Sequence, residues 1–406
     1  MGNREKKSGD AKTEKFRLNL VDLALAEADG LLSFRTVMSE SLYGDGGYYS
    51  SGRASVGRTG DFFTSVSVGS FFGSLLTRHI LDIWQAQGRP GRFALIEQGA
   101  NDGQLLCDLL RTLPDLDKDL AASVEPWIVE PLAHLQKAQS ASLAEFQQVQ
   151  WVENLSEFPA DLPPGLFYSN ELVDALPVDR VRRPPEGETS GWEEWCLCGE
   201  DMQFTWREIK DPVLLEEIAS IEAYADLPAG YETELHLPAR QWIADVAASQ
   251  FQGDLLVIDY GFAADDYYHP SRTCGTLQAY RDHKSVEIKP SALGEIDLTA
   301  HVEFTGLVRA AEANGLELTG FANQSAFLTR LAAPWLLELE KTGVPIAPEQ
   351  LRQFQTLTHP GMMGGKFFAL GLRSSSIPEQ APGPSAFSDG SGRTGGDHLR
   401  RPPADS

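Results

Sequence analysis

FALIEQGANDGQLLCDLL, residues 93–110, decides the fold. A short apolar run, Phe93–Glu97, leads into a turn bounded by Gly99 and Gly103, and from Gln104 the apolar residues recur at helical spacing. Strand, tight turn and helix in that order bring backbone N–H groups to a helix N-terminus, where a ligand can meet them. A dinucleotide fingerprint requires G-x-G-x-x-G. Counted from Gly99, its second and third glycines are Asn101 and Gln104, so pyrophosphate binding is poorly supported.

The same alternation continues on the C-terminal side. Trp127–Glu130 (WIVE), Val149–Val152, Gly165–Ser169 (GLFYS) and Leu255–Tyr260 (LLVIDY) are further short apolar runs, and LAHLQKAQSASLAEF after the first of these reads as a helix. Strands separated by crossover helices specify a Rossmann-like α/β fold, with a parallel sheet covered on both faces. Residues 93–373 form this core, interrupted at about 179–253 and 262–304. The first interruption holds a tryptophan-rich hairpin (GWEEWCLCGEDMQFTWREI) and the helix PARQWIADVAAS; the second is mostly irregular. Such insertions build the substrate side of the crevice. Residues 16–92 read as an N-terminal helical cap with a glycine-rich segment from Gly44 to Gly60. Residues 1–15 and 374–406 read as a disordered leader and tail, because neither carries enough apolar surface to offset ordering.

Charge narrows the partners. The chain has 34 basic and 58 acidic residues, a formal net charge of −24. That field repels phosphate backbones and anionic membranes, so no nucleic-acid or membrane partner is expected, and cationic ligands are favoured. The acid excess also confers solubility. The four cysteines, Cys107, Cys196, Cys198 and Cys274, include no C-x-x-C pair and no metal site is expected. Together with a charged N-terminus and no apolar run of ~18 residues, they point to a cytoplasmic setting.

Three motifs carry chemistry. The G-x-x-x-G spacing from Gly99 to Gly103 matches the looser turn of S-adenosylmethionine enzymes, and Asn101 is tolerable at a left-handed backbone position. Glu130 ends the WIVE strand and can accept hydrogen bonds from both hydroxyls of a ribose; a solvated strand-end glutamate is the plainer reading. In YSNELVDALPVDR a strand ends in Asn170, Glu171 and Asp174, where an open α/β sheet places its catalytic groups. A helix cap followed by a proline stop is the alternative there.

From about Phe16 to Leu372 the chain resembles the MidA-type family of methyltransferases, whose mitochondrial relatives methylate an arginine of a respiratory complex I subunit. The resemblance rests on an ordered series: LYGDGGYYSSG, GDFFTSVSVGSFFG, FALIEQGANDG, WIVEPLAHLQ, SNELVDALPVDR, GYETELHLPARQW, LLVIDYGF, GTLQAYRDHK, GEIDLTAHVEF and GMMGGKFFALGL. It implies a class I sheet that binds S-adenosyl-L-methionine and a protein substrate bearing the target arginine. Gly99, Gly103, Glu130 and Glu97 fall on the cofactor turn, ribose acid and entering strand, and Gly60, Asp61, Phe62 and Thr64 on a loop covering the cofactor. Asn170, Glu171 and Asp174 face the transferred methyl. Glu234, Asp259, Tyr260, His283 and His301 fall on the substrate side. The family turn reads G-P-G-x-G, and Asn101 here replaces a glycine. A non-catalytic assembly factor and a small-molecule methyltransferase remain open as alternatives, and the oligomeric state is not legible.

Overall fold

The computed structural model describes residues 2–52, 64–188, 191–282, 284–375, 377, 385–387 and 396–400. Its centre is a mixed sheet whose strands are β1 (Phe93–Gln98), β2 (Val124–Val129), β3 (Gln150–Val152), β4 (Gly165–Asn170), β5 (Gly253–Phe262), β6 (Leu316–Asn323) and β7 (Phe367–Ser374). They lie in the order β6-β7-β5-β4-β1-β2-β3, and the short strand Val302–Glu303 adds to the end of β5. Every pairing from β3 to β5 is parallel. The parallel expectation stops there, because β7 inserts antiparallel between β5 and β6. Both lie beyond the last apolar run read as a strand, and β7 reaches the sheet without a crossover.

The parallel strands are buried on both faces, which is why they read as continuous apolar runs. One face packs under α3 (Phe71–Ala86), α4 (Gln104–Leu116) and α8 (Gln324–Thr342); the other packs under α6 (Leu237–Ala248) and α7 (Phe304–Ala313). Between α4 and β3 lies α5 (Ala133–Ser142). Two expected boundaries therefore move. Helix α3, placed in the cap, belongs to the core, where Gly73 lets it approach α4: a Cβ there would lie 2.8 Å from that of Asp108. Helix α6, placed in the first insertion, also belongs to the core, through Trp242, Ile243 and Val246.

The first insertion pairs Asp179–Arg182, Glu193–Cys198, Phe204–Glu208 and Glu232–Leu235 in an antiparallel sheet, which Leu31–Ser33 of the N-terminal region joins. Within the second insertion, read as mostly irregular, Gln278–Arg281, Lys284–Val286 and Asp297–Thr299 form a three-stranded antiparallel sheet. Strands of three or four residues are too short to show a period.

Both chain ends depart from the disordered reading. Helix α1 (Gly2–Ala26) starts within the stretch taken as a leader, and its buried face carries Phe16, Leu20 and Ala24 at helical spacing. It packs with α2 (Phe34–Tyr43). In the tail, Phe387 is fully buried 5.2 Å from Phe327 and 5.7 Å from His79, ring centroid to centroid. Gly320 and Gly371 make the space, since a Cβ at either would come within 2.2 or 2.6 Å of the Phe387 ring system. Average composition hides a single anchor of this kind. Phe387→Ala is expected to lower stability by about 3–5 kcal/mol, the usual cost of emptying a buried aromatic site. An unchanged urea midpoint would show that the tail segment is not part of the fold.

Candidate functional site

The residues at the carboxyl ends of β1, β2, β4 and β5 converge on one cavity of about 650 Å³. The turn after β1 holds three left-handed residues, Gly99 (φ 82°), Asn101 (φ 47°) and Gly103 (φ 80°), before α4 begins. At Gly99 a Cβ would lie 3.1 Å from the Leu172 side chain, so glycine there keeps the turn low against the neighbouring strand end.

Glu130 follows β2 and is 5% exposed. One carboxylate oxygen accepts from the Leu132 amide at 2.9 Å and the other from Gln139 Nε2 at 3.0 Å. The same Nε2 donates to the Asn101 carbonyl at 3.0 Å. Gln139 thus links turn and acid, and sequence reasoning missed it because its partners are remote in the chain. Each carboxylate oxygen has a second acceptor site, so Glu130 can still receive two further donors. Burial raises its pKa, against the hydrogen bonds that favour its charge. Glu97 lies at the end of β1 on the same cavity, accepts from the Tyr168 hydroxyl at 3.0 Å, and is pushed up to about 8 by burial.

Glu171 directly follows β4 in a left-handed conformation (φ 56°) that costs a non-glycine residue on the order of 1–3 kcal/mol. The Ser65 amide (3.0 Å) and Asn170 Nδ2 (3.1 Å) both donate to its Oε1. Ser65 begins a one-turn helix, Ser65–Val68, capped by Thr64, which also lines the cavity. Burial pushes Glu171 up to about 8, with Asp174 nearby adding to the rise. Asp174 is raised to about 6 by burial, opposed by a hydrogen bond with Tyr260. Six carboxylate residues line the cavity: Glu97, Asp102, Glu130, Glu171, Asp174 and Asp297; no Lys, Arg or His does so among the described residues.

Other expected residues are placed differently. Glu234 is fully buried and accepts from the Tyr267 hydroxyl (2.8 Å), the Thr276 amide and hydroxyl (2.9 Å each) and the Leu277 amide (3.1 Å). It pins the second insertion to the first and does not line the cavity. Asp259 is fully buried too, spent on the amides of Val173 (2.9 Å), Asp174 (3.2 Å) and Tyr260 (2.9 Å). It shapes the turn after β4 from behind. Tyr260 reaches the cavity; His301 packs against it at 5.6 Å, held neutral by burial with a pKa of about 4. Gly60, Asp61, Phe62 and His283 lie outside the described residues. Tyr43, Tyr49 and Asp297 line the cavity and were not singled out as site residues. Among the described residues no helix is long and apolar enough to cross a membrane.

A family model described as "Putative S-adenosyl-L-methionine-dependent methyltransferase" matches residues 75–322. The bovine mitochondrial protein arginine methyltransferase NDUFAF7 is 26% identical, over 82% of this chain and 77% of that protein. The Drosophila melanogaster homologue, also mitochondrial, is 28% identical over 80% and 77%. A Burkholderia thailandensis protein crystallised with S-adenosyl-homocysteine superposes with a TM-score of 0.78, at 26% identity and 94% and 96% coverage. The mitochondrial relatives overturn the cytoplasmic expectation. Sparse cysteines indicate a reducing environment and do not tell one reducing compartment from another.

Because Glu234 holds several buried donors at once, Glu234→Ala should cost on the order of 3 kcal/mol or more, at ~1–3 for each stranded group. Chemical denaturation measures this. A variant as stable as the parent that had lost ligand affinity would return Glu234 to the site.

Proposed function

We propose that this chain, which belongs to the family of S-adenosyl-L-methionine-dependent methyltransferases whose model it matches, methylates an arginine side chain of a protein substrate. The observation that carries the reading is the cavity itself: carboxylates and backbone turn at the carboxyl edge of the sheet, with no basic residue among its described lining. The names of the arginine methyltransferase relatives support the choice of acceptor.

The residues fit the cofactor. Gly99 to Gly103 would pass beneath its methionine end, and Glu130, with acceptor capacity left on both oxygens, would take the two ribose hydroxyls. When bound, S-adenosyl-L-methionine supplies an electrophilic methyl on a positively charged sulfur. The protein's task is then to hold an acceptor nitrogen behind that methyl, where positioning supplies roughly 7–11 kcal/mol in favourable cases.

A guanidinium is a poor nucleophile because its lone pairs are delocalised. Glu171 addresses that. Its Oε1 is held by Ser65 and Asn170, which leaves Oε2 to accept an N–H of the guanidinium and localise density on the attacking nitrogen. As the N–C bond formed and the methyl's bond to sulfur broke, leaving its electron pair on sulfur, the proton displaced from the nitrogen would pass to this carboxylate. The elevated pKa of Glu171 suits it to receive a proton near neutral pH. Asp174, tied to Tyr260, is the second carboxylate available to the same group.

These roles fix two substitution outcomes and a pH dependence. Glu130→Ala should weaken S-adenosyl-homocysteine binding by about 1–3 kcal/mol while the fold persists; calorimetry with unchanged affinity would remove Glu130 from the site. Glu171→Gln should leave that affinity intact and lower turnover on an arginine peptide ~100-fold or more. For the parent, kcat/KM should rise with pH through an inflection near 8, because only the ionised Glu171 can accept a proton. A profile that keeps this inflection in Glu171→Gln would assign it to another group.

A further inference from the structure

The roles above leave one wall of the cavity unused. Tyr43 ends α2, Tyr49 lies six residues on, and Asp297 begins the last strand of the small antiparallel sheet; all three line the cavity beside Asp174. They come from the N-terminal region and the second insertion, yet they are bound into one surface with the core. The Tyr49 hydroxyl donates to Asp297, 3.1 and 3.2 Å from its two oxygens. The Tyr43 hydroxyl donates to the Ala175 carbonyl at 2.9 Å. The two tyrosine rings stack at 5.6 Å with 15° between their planes, and Tyr43, 38% exposed, is the more open. At the same cavity, Asn170 is more than nine-tenths buried, and its Oδ1 has no hydrogen-bond partner among the described residues.

This wall offers acceptors and aromatic faces. A buried oxygen with no donor, a carboxylate fixed by a tyrosine, and a flat ring stack together call for a planar cation rich in N–H groups. An anion is repelled, and a neutral amide lacks the charge. An ammonium has three donors but no flat face to lay on a ring, whereas a guanidinium has five donors in one plane and stacks well.

We infer that this wall is the acceptor subsite and sets selectivity for guanidinium over ammonium: the guanidinium lies against the Tyr43–Tyr49 stack and donates to Asp297 and Asn170 Oδ1. The inference rests on the methyltransferase reading and gives it a substrate-recognising surface supplied by segments outside the cofactor-binding strands. Tyr49 is a positioning residue, acting through Asp297.

The test uses the full-length protein saturated with S-adenosyl-homocysteine, titrated with N-acetyl-arginine methylamide and with its lysine and citrulline counterparts. The arginine probe should bind at least ~10-fold more tightly than either. Asp297→Asn and Tyr43→Leu should each weaken it roughly 10-fold and Tyr49→Phe less, about 3-fold, since that change removes only the hydroxyl that orients Asp297. S-adenosyl-homocysteine affinity should stay unchanged in all three. Should Asp297→Asn fail to fold, Tyr43→Leu, at an open ring, carries the same comparison. Equal binding of the three probes, an Asp297→Asn protein that binds arginine like the parent, or a loaded parent that binds no arginine probe would each overturn the subsite. Failure of the parent to bind S-adenosyl-homocysteine would instead strike the underlying reading.

Discussion

One fully buried amide, Gln139, ties the turn after β1 to the acid after β2. Its Nε2 spends one hydrogen on the Asn101 carbonyl and the other on Glu130, while its Oε1 accepts from Trp151 Nε1 at 3.1 Å. A primary amide has two donors, and both are used; moving either partner strands a buried N–H. The linkage also explains Gly103, whose Cβ would lie 3.3 Å from the Gln139 backbone. The departure from the family turn is absorbed here. Asn101 takes the left-handed conformation that a glycine would have supplied, and its carbonyl is clamped in place.

The strand–turn–helix was legible because its signals are local: an apolar run, two glycines, then helical spacing. The parallel strands were legible because burial on both faces writes hydrophobicity into every position. Gln139 was not, since nothing in a helix reading LAHLQKAQS says which polar residue turns inward. The partners that define its role lie 38, 9 and 12 residues away. The same limit applies to carboxylates. Glu130, Glu234 and Asp259 all stand in or just after strands and look alike in sequence, yet Glu130 opens on the cavity while the other two are spent on backbone and hydroxyl donors. What separates them is who fills the lone pairs, a long-range property. The chain ends misled for a related reason, because a single aromatic in a glycine-lined gap outweighs a composition poor in core formers.

Cap and insertions are more than a cover. Leu31–Ser33 completes the insertion sheet, Glu234 pins one insertion to the other, and Tyr49 reaches Asp297 across 248 residues. The core supplies a turn and strand-end carboxylates, as Rossmann-like folds generally do, and fold alone leaves the acceptor open. The acceptor subsite inferred above is drawn instead from the segments added to the sheet. That is why the methyltransferase fold was readable from the middle of the chain, while the tyrosine wall needed three distant segments to be brought together.

The concentration of acid in the cavity has an electrostatic consequence. Glu97, Glu171 and Asp174 are all raised by burial, and Asp174 further raises Glu171. No basic group stands in the described lining to neutralise them, and burial alone leaves part of the set holding protons near neutral pH. The cofactor's sulfonium and the proposed guanidinium would each bring positive charge into this space, and a nearby cation favours the ionised carboxylate. Ligand binding and carboxylate ionisation are therefore linked, and arrival of the two cations releases protons. In the role proposed for Glu171, the carboxylate ionises most readily when the group that would give it a proton is already in place, which would tie proton transfer to occupancy. The formal charge of −24 gave only the sign of this field; the fold gathers six of the carboxylates where it can act.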